Sequence, residues 1–467
     1  MAVTLALLSA AVAPASAHVG ALGGSADPGP VPTWLVVVTG GVVVAGSFLA
    51  TTFVTDRRDV DLVAGLYRTV AVPRRLASAG AAVGGALGVL GLLAVLASGV
   101  LGPTLARANL AVLLVWTGWW AGYTMTVYGA GDTWGLVNPW ATLVRGARWA
   151  LDGVTDPPRV AYPDRLGAWP AVAGLVVFVF LEVVSPLATD PRLLAAVVAG
   201  YTVVTLTGAV LVGPRAWFGN VDPVSRVFAL YGRLAPVRAV DPTDADPNAG
   251  RTTLAVGLPG VHLCTPDRPL GADETALVVA LLWVTSFDGL VSTPAWNDLA
   301  RAVVGAGVPP LALYAAVAVA GLAVFHRAYA AAARWATRTA DTYVTPRYLA
   351  GWFAAALLPI AAGYHVAHFL AYLLRLLPAL WGALWTPLSA APVTVVVVPS
   401  WFGVLQLGFV VAGHLAAVWI AHAASFRLFP GRLQPLESQY PFVLVMVGYT
   451  VASMWIVAQP YVAPAYL

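Results

Sequence analysis

The chain has 467 residues, 60% of them hydrophobic and only 10% charged, with a mean hydropathy of +0.81 and a net charge of +4. That balance excludes an ordinary soluble domain and defines a polytopic, all-α transmembrane helix bundle. Every basic side chain is an arginine, and the arginines sit in loops rather than in a recognition patch, which argues against a nucleic-acid partner and leaves the lipid bilayer as the main one.

Residues 1–17 run from Met1 through an apolar stretch to Ala15-Ser16-Ala17, a small-x-small pattern that suits cleavage of a signal peptide. Cleavage there would make His18 the mature amino terminus, where an amine and an imidazole together suit copper. A run of about 20 apolar residues crosses a bilayer. On that criterion the mature domain, residues 18–467, carries about ten spans: 32–54, 77–101, 109–129, 168–188, 193–213, 275–292, 309–327, 349–373, 400–423 and 438–459. Of the 25 arginines, 21 fall in alternate loops, and Arg107, Arg192, Arg301 and Arg375 make up the rest. The positive-inside rule then predicts a cytoplasmic-membrane protein with both mature termini extracytoplasmic.

Two of the arginine-bearing segments have a related design. One reads Gly131 to Trp140 with Asn138-Pro139 at its end, and the other reads Trp217 to Pro223 with Asp222-Pro223 at its end. Asn or Asp followed by Pro starts a helix, because the side chain caps free N–H groups and the ring already holds a helical φ. Each should open an amphipathic interfacial helix on the cytoplasmic side, and the Pro-to-Pro separation of 84 residues suggests a duplicated hairpin. Residues 240–274, with Asp241, Pro242, Asp244, Asp246, Pro247 and Gly250, read as a solvated cytoplasmic linker. Cys264, the single cysteine, is expected to be an inert thiol there.

Five ionisable residues interrupt the spans: Glu182, Asp288, His365, His368 and His414. A charge at the bilayer centre costs about 2.5–3.5 kcal/mol on insertion scales, so such groups face the bundle interior and carry function. His365 and His368, spaced i, i+3, share one helical face. With His414 and a carboxylate from Glu182 or Asp288 they would complete a first shell for Cu, Zn or Fe. Gln406 lies two turns from His414 and could join them, whereas His262, His326 and His422 read as structural or solvated. Trp116, Trp119, Trp120 and Tyr123 on one helix could line a substrate pocket. Walker, GxGxxG-acid, GxSxG and CxxCH signatures are missing, which argues against an ATPase, a dinucleotide reductase, a serine hydrolase and a c-type cytochrome.

The chain resembles a family of polytopic membrane proteins labelled by homology as fenitrothion hydrolase. The likeness is carried by Ala17-His18 with Gly20, Pro32 to Trp34, Gly131-Asp132 leading to Asn138-Pro139-Trp140, Ser286-Phe287-Asp288-Gly289, Tyr364 with Ala367-His368, and Gly413-His414 with Ala421-His422. The family places Gly directly after the first His, where this chain has Val19. The resemblance implies an organophosphate esterase in which a metal-bound water attacks phosphorus.

Three functions are therefore expected in turn. The first is binding or transport of a copper-like metal ion by His18, His365, His368 and His414. The second is a membrane-embedded, metal-dependent hydrolase or oxidoreductase acting on a small lipophilic substrate, with Glu182 or Asp288 as general base. The third is a metal-free, proton-coupled solute carrier.

Overall fold

The computed structural model describes residues 32–150, 158–239, 251–390, 393–399 and 401–467. The leader, His18 and the acidic part of the linker, 240–250, lie outside the described residues.

The described chain is built almost wholly of helices: α1 (Thr33–Thr51), α2 (Arg57–Ala64), then after strand β1 (Tyr67–Pro73) α3 (Arg74–Leu101), α4 (Leu110–Ala130), α5 (Pro139–Ala150), α6 (Trp169–Val184), α7 (Pro191–Val212) and α8 (Pro223–Gly232). Strands β2 (Val237–Ala239) and β3 (Arg251–Gly257) precede α9 (Ala272–Val291), α10 (Pro294–Gly305), α11 (Pro310–Thr339), α12 (Pro346–Trp385), α13 (Phe402–Leu428) and α14 (Leu433–Val457). Among the described residues nine helices are long and apolar enough to cross a membrane: α1, α3, α4, α7, α9 and α11 to α14. Fold and composition thus define a multi-pass membrane protein.

All ten expected stretches are helical, but the fourth is shorter than its apolar run. Helix α6 has 16 residues and stops at Ser185, because Pro186 disfavours a helical conformation in the residue before it and opens a new 3-10 turn. At 1.5 Å per residue α6 spans about 24 Å, less than the roughly 30 Å of a hydrocarbon core. Helix α9 is the central element, with 83% of its most apolar 18 residues buried. Small residues let neighbouring helices approach closely, as membrane helices without a hydrophobic drive require. A Cβ on Gly363 of α12 would lie 2.5 Å from the Phe409 carbonyl of α13, and one on Gly413 would lie 2.4 Å from the Pro359 carbonyl of α12.

The two Pro-led helices start where the sequence places them, and they start deep. Asn138 accepts from Ala141 N at 3.0 Å at the head of α5, and Asp222 accepts from Val224 N and Ser225 N, both at 3.2 Å, at the head of α8. The Tyr201 hydroxyl also donates to Asp222, and Tyr201 sits midway along α7. After α7 ends, the chain therefore turns back beside it through Pro214–Ala216 and a π turn, Trp217–Val221, before α8 begins. The Asn138 side follows the same course. Trp140 Nε1 donates to Thr202 Oγ1 of α7 at 2.9 Å, and a Cβ on Gly88, near the middle of α3, would lie 1.8 Å from the Val137 carbonyl. The two heads also touch, since Asn138 Nδ2 donates to Ser225 Oγ at 3.3 Å and that hydroxyl donates to Asp222 at 2.5 Å. Past its head α5 emerges, and Trp149 is largely exposed in keeping with an interfacial helix, whereas α8 buries Val227, Phe228, Leu230 and Tyr231.

The expected linker needs correction in its described part. Residues 251–257 form the middle strand of an antiparallel sheet of order β1-β3-β2, pairing Tyr67 with Gly257, Pro73 with Arg251 and Val237 with Val256. Val261, Leu263 and Cys264 beyond it are buried. The run Thr252-Thr253-Leu254-Ala255-Val256 has strand chemistry, but its longer partner, β1, is distant in sequence and the acidic, Pro-rich residues before it dominate a composition window. Arg226 and Arg268 close this side by ion pairs of 2.9 and 3.0 Å to Glu274 at the start of α9.

Two outcomes follow. Gly88→Ala drives a methyl into a backbone carbonyl, so it should lower the unfolding temperature in detergent by the equivalent of about 1–3 kcal/mol, whereas Gly80→Ala, which meets nothing within 4 Å, should be neutral or slightly stabilising. Burial pushes the Cys264 thiol up to about 11. At pH 8 the folded protein should therefore react with N-ethylmaleimide about 100-fold more slowly than the unfolded chain; equal rates would show the thiol to be open.

Candidate functional site

A cavity of about 490 Å³ lies between α3 to α9 and α12. Four of its twelve aromatic lining residues come from α4, more than from any other helix. Residues Leu113–Tyr123 of that helix are wound as π turns, a form frequent at functional sites. Gly118 and Gly122 meet Leu380 and Leu373 of α12, while Trp116, Trp119, Trp120 and Tyr123 line the cavity, as their spacing suggested. Trp119 stands edge-on to Phe228 at 5.6 Å between centroids, and Tyr123 does so at 5.3 Å, so the rings hold one another in place. The floor is made where the two deep helix heads meet: Pro139, Trp140, Pro223 and Val224, with Tyr201 beside them, line it.

Four of the five intramembrane ionisable residues line this same cavity: Glu182, Asp288, His365 and His368. His368 Nε2 lies 3.5 Å from Asp288 Oδ2. His365 is fully buried and its Nε2 donates to the Trp120 carbonyl at 3.1 Å, an assignment fixed by the fact that a carbonyl can only accept. Its Nδ1 is buried and receives no hydrogen bond from the described residues. The Trp120 ring meets His365 edge-on at 5.5 Å.

The fifth residue stands apart. His414 is fully buried, but its Nδ1 donates to the Val410 carbonyl one turn back on its own helix at 2.8 Å, and it lines neither this cavity nor the smaller one described next. Among the described residues no group of three or more His, Cys, Asp or Glu is gathered closely enough to hold a metal ion. The shared first shell expected of His365, His368, His414 and a carboxylate is therefore not assembled by them. Spacing of i, i+3 leaves about 60° between two side chains, which here sends His365 to a carbonyl on α4 and His368 to a carboxylate on α9.

A smaller cavity of about 150 Å³ adjoins the first on the side away from the arginine-rich loops. It is more polar than the first, with Ser292, Thr293, Arg375, Gln406, Gln459 and Tyr461 among its lining residues. Gln406 is thus near the group but not in it, and its amide donates to the Ala367 carbonyl at 2.6 Å. Tyr364, His368 and Phe369, all on α12, line both spaces and stand between them. Burial, and then the charges of Asp288 and Glu182, push the Tyr461 hydroxyl up to about 12.

His422 takes a structural place, as expected. His422 donates to the Val54 carbonyl at 2.9 Å and receives Gln439 at 3.4 Å, joining α13, α14 and the end of α1. Sequence reasoning did not assign Trp134, Tyr201, Phe228, Tyr231 and Tyr364 to the cavity, and the only signal for them was their closeness to the Asn-Pro and Asp-Pro helix starts and to His365.

No family model, curated protein or solved structure matches the chain. What the fold and the site define is a class: a multi-pass all-α membrane protein enclosing an aromatic cavity with carboxylate and imidazole groups in its wall.

If Asp288 and His368 act as a pair, Asp288→Asn and His368→Gln should be non-additive in thermal unfolding by about 1 kcal/mol or more, while Asp288→Asn with His414→Gln should add within about 0.5 kcal/mol. Coupling of Asp288 to His414 instead would restore the wider cluster.

Proposed function

We propose that the protein is a carrier for a small, mainly apolar organic molecule, in which the larger cavity holds the cargo and Asp288 with His368 exchanges protons as the site empties and fills. The observation that supports this most is the cavity itself. At about 490 Å³ it falls within the range of small-molecule sites, and it sets a few polar groups in an aromatic wall, which is the usual composition of such a site. Ionisable residues among membrane helices commonly serve ion or proton pathways. The polar space beyond Tyr364, His368 and Phe369 would connect the pair to water. In this reading the protein lies in the cytoplasmic membrane with both mature termini outside, as the arginine asymmetry favours.

A metal-handling reading stands second and rests on one observation, the carboxylate and imidazole 3.5 Å apart. These two donors would serve Zn, Cu or Fe only with further ligands, since such ions usually take at least three from protein. A metal-dependent hydrolase, as the family resemblance implies, would need the same completion.

The test uses protein in lipid nanodiscs and the uncharged fluorophore N-phenyl-1-naphthylamine, read by energy transfer from tryptophan. One saturable site is expected. Gly91→Phe should weaken binding at least tenfold, because Gly91 lines the cavity with nothing within 4 Å of a Cβ and a ring there would fill the space. In proteoliposomes the carrier should move protons with its cargo and lose that coupling in Asp288→Asn. Dye binding unaffected by Gly91→Phe would remove the cavity as the site. Stoichiometric metal that persists through purification and disappears in His368→Ala would turn the assignment to the second reading.

A further inference from the structure

Resting on the reading of the larger cavity as a ligand site, we infer that its ligand is a hydrocarbon-bodied molecule resident in the bilayer, which enters sideways between α6 and α7. These helices follow one another in sequence, yet a wedge holds them apart. The segment that leads into α8 runs between their halves nearer the arginine-rich loops: a Cβ on Gly208 of α7 would lie 2.0 Å from the Trp217 ring, and one on Gly174 of α6 would lie 3.0 Å from the Pro223 ring. Beyond the wedge α6 packs on α9 and α7 on α3, and the pair scarcely meet except where the Phe178 and Tyr201 rings stand edge-on at 5.3 Å. From Tyr201 back to the start of α7 at Pro191 is about 15 Å, the depth of one leaflet of a roughly 30 Å core.

Residues on both rims of this gap pass from cavity to lipid within one turn. Leu181 of α6 and Val197 of α7 line the cavity and are half-buried, whereas Val177 and Gly200, one turn along on the same sides, are exposed. Leu187, in the connection between the helices, roofs the space. An opening at this depth faces lipid chains, not water. Inside, the wall keeps most of its polar atoms turned to protein. The Tyr123 hydroxyl bonds Thr133, that of Tyr201 bonds Asp222 and Trp140 Nε1 bonds Thr202, while Nε1 of Trp116, Trp119 and Trp134 is buried. A polar body arriving from water would give up its hydration for few partners, whereas a lipid-dissolved one loses none and gains close contact with the rings. Any polar end on it would lie toward α9 and α12, where His368 borders the smaller cavity.

The probe is N-phenyl-1-naphthylamine with protein in lipid nanodiscs, its entry and exit timed by stopped-flow energy transfer from tryptophan. Uncharged 1-hexadecanol dissolved in the disc lipid should displace the dye from wild-type protein, a comparison that needs no variant. Val177→Phe/Gly200→Phe narrows the gap without altering a residue that lines the cavity, so it should slow entry and exit alike, at least tenfold, and leave affinity within threefold. Leu90→Phe/Ala199→Phe, exposed on the side of α7 toward α3, should change neither rate. Rates untouched by Val177→Phe/Gly200→Phe would overturn the route and leave the cavity reading standing. Saturable dye that hexadecanol fails to displace would overturn the ligand class, and the absence of any saturable dye binding would overturn the cavity reading with it.

Discussion

Inside a bilayer a backbone N–H or C=O has no water to bind, and each one left unpaired costs several kcal/mol. That constraint governs this fold, because two helix breaks, at Asn138 and Asp222, are carried to the middle of the bundle. They are tolerated there because each new helix begins with its own acceptor. Pro139 and Pro223 remove one N–H apiece, and Asn138 and Asp222 take up others. The caps then serve each other through Ser225, so two potential defects become one hydrogen-bonded junction.

The cavity depends on that junction. Had α5 and α8 started at the surface, their first turns would not reach the middle of α3 and α7, and the space beneath the α4 tryptophans would have no floor. The polar residues occupy the opposite wall, on α6, α9 and α12. The larger space thus lies between the α4 aromatic rings and a wall that carries carboxylates and imidazoles. Tyr364, His368 and Phe369 form the partition toward the smaller space, so one stretch of α12 separates a mainly apolar environment from a mixed one.

Much of this was legible in the chain. Apolar runs disclosed the helical stretches because length against a bilayer is a strong constraint, and the Asn-Pro and Asp-Pro pairs disclosed the helix starts because capping is local chemistry. The aromatic set on α4 followed from spacing. The grouping of the histidines did not follow, since a ring's partner depends on which helices become neighbours: His414 spends Nδ1 on the carbonyl of Val410, four residues behind it, and His365 spends Nε2 on Trp120, 245 positions away in sequence. The end of α6 was misjudged because hydropathy counts Pro186 and Leu187 as apolar while the backbone treats proline as a stop. The sheet was missed for a different reason, its pairing being non-local.

That sheet also bears on how the protein is made. β1 directly precedes α3, yet its partner β3 begins 178 residues after β1 ends, and β2 pairs with β3 rather than with β1. At ordinary synthesis rates of about 5–20 residues per second, β1 waits roughly 10 to 40 s with its edge open before a partner emerges. In that interval α3, α4 and the first re-entrant segment can insert without being fastened to anything downstream. Closure of the sheet is then a late event, tying the early helices to α9 once the arginine-rich segment between them has been synthesised.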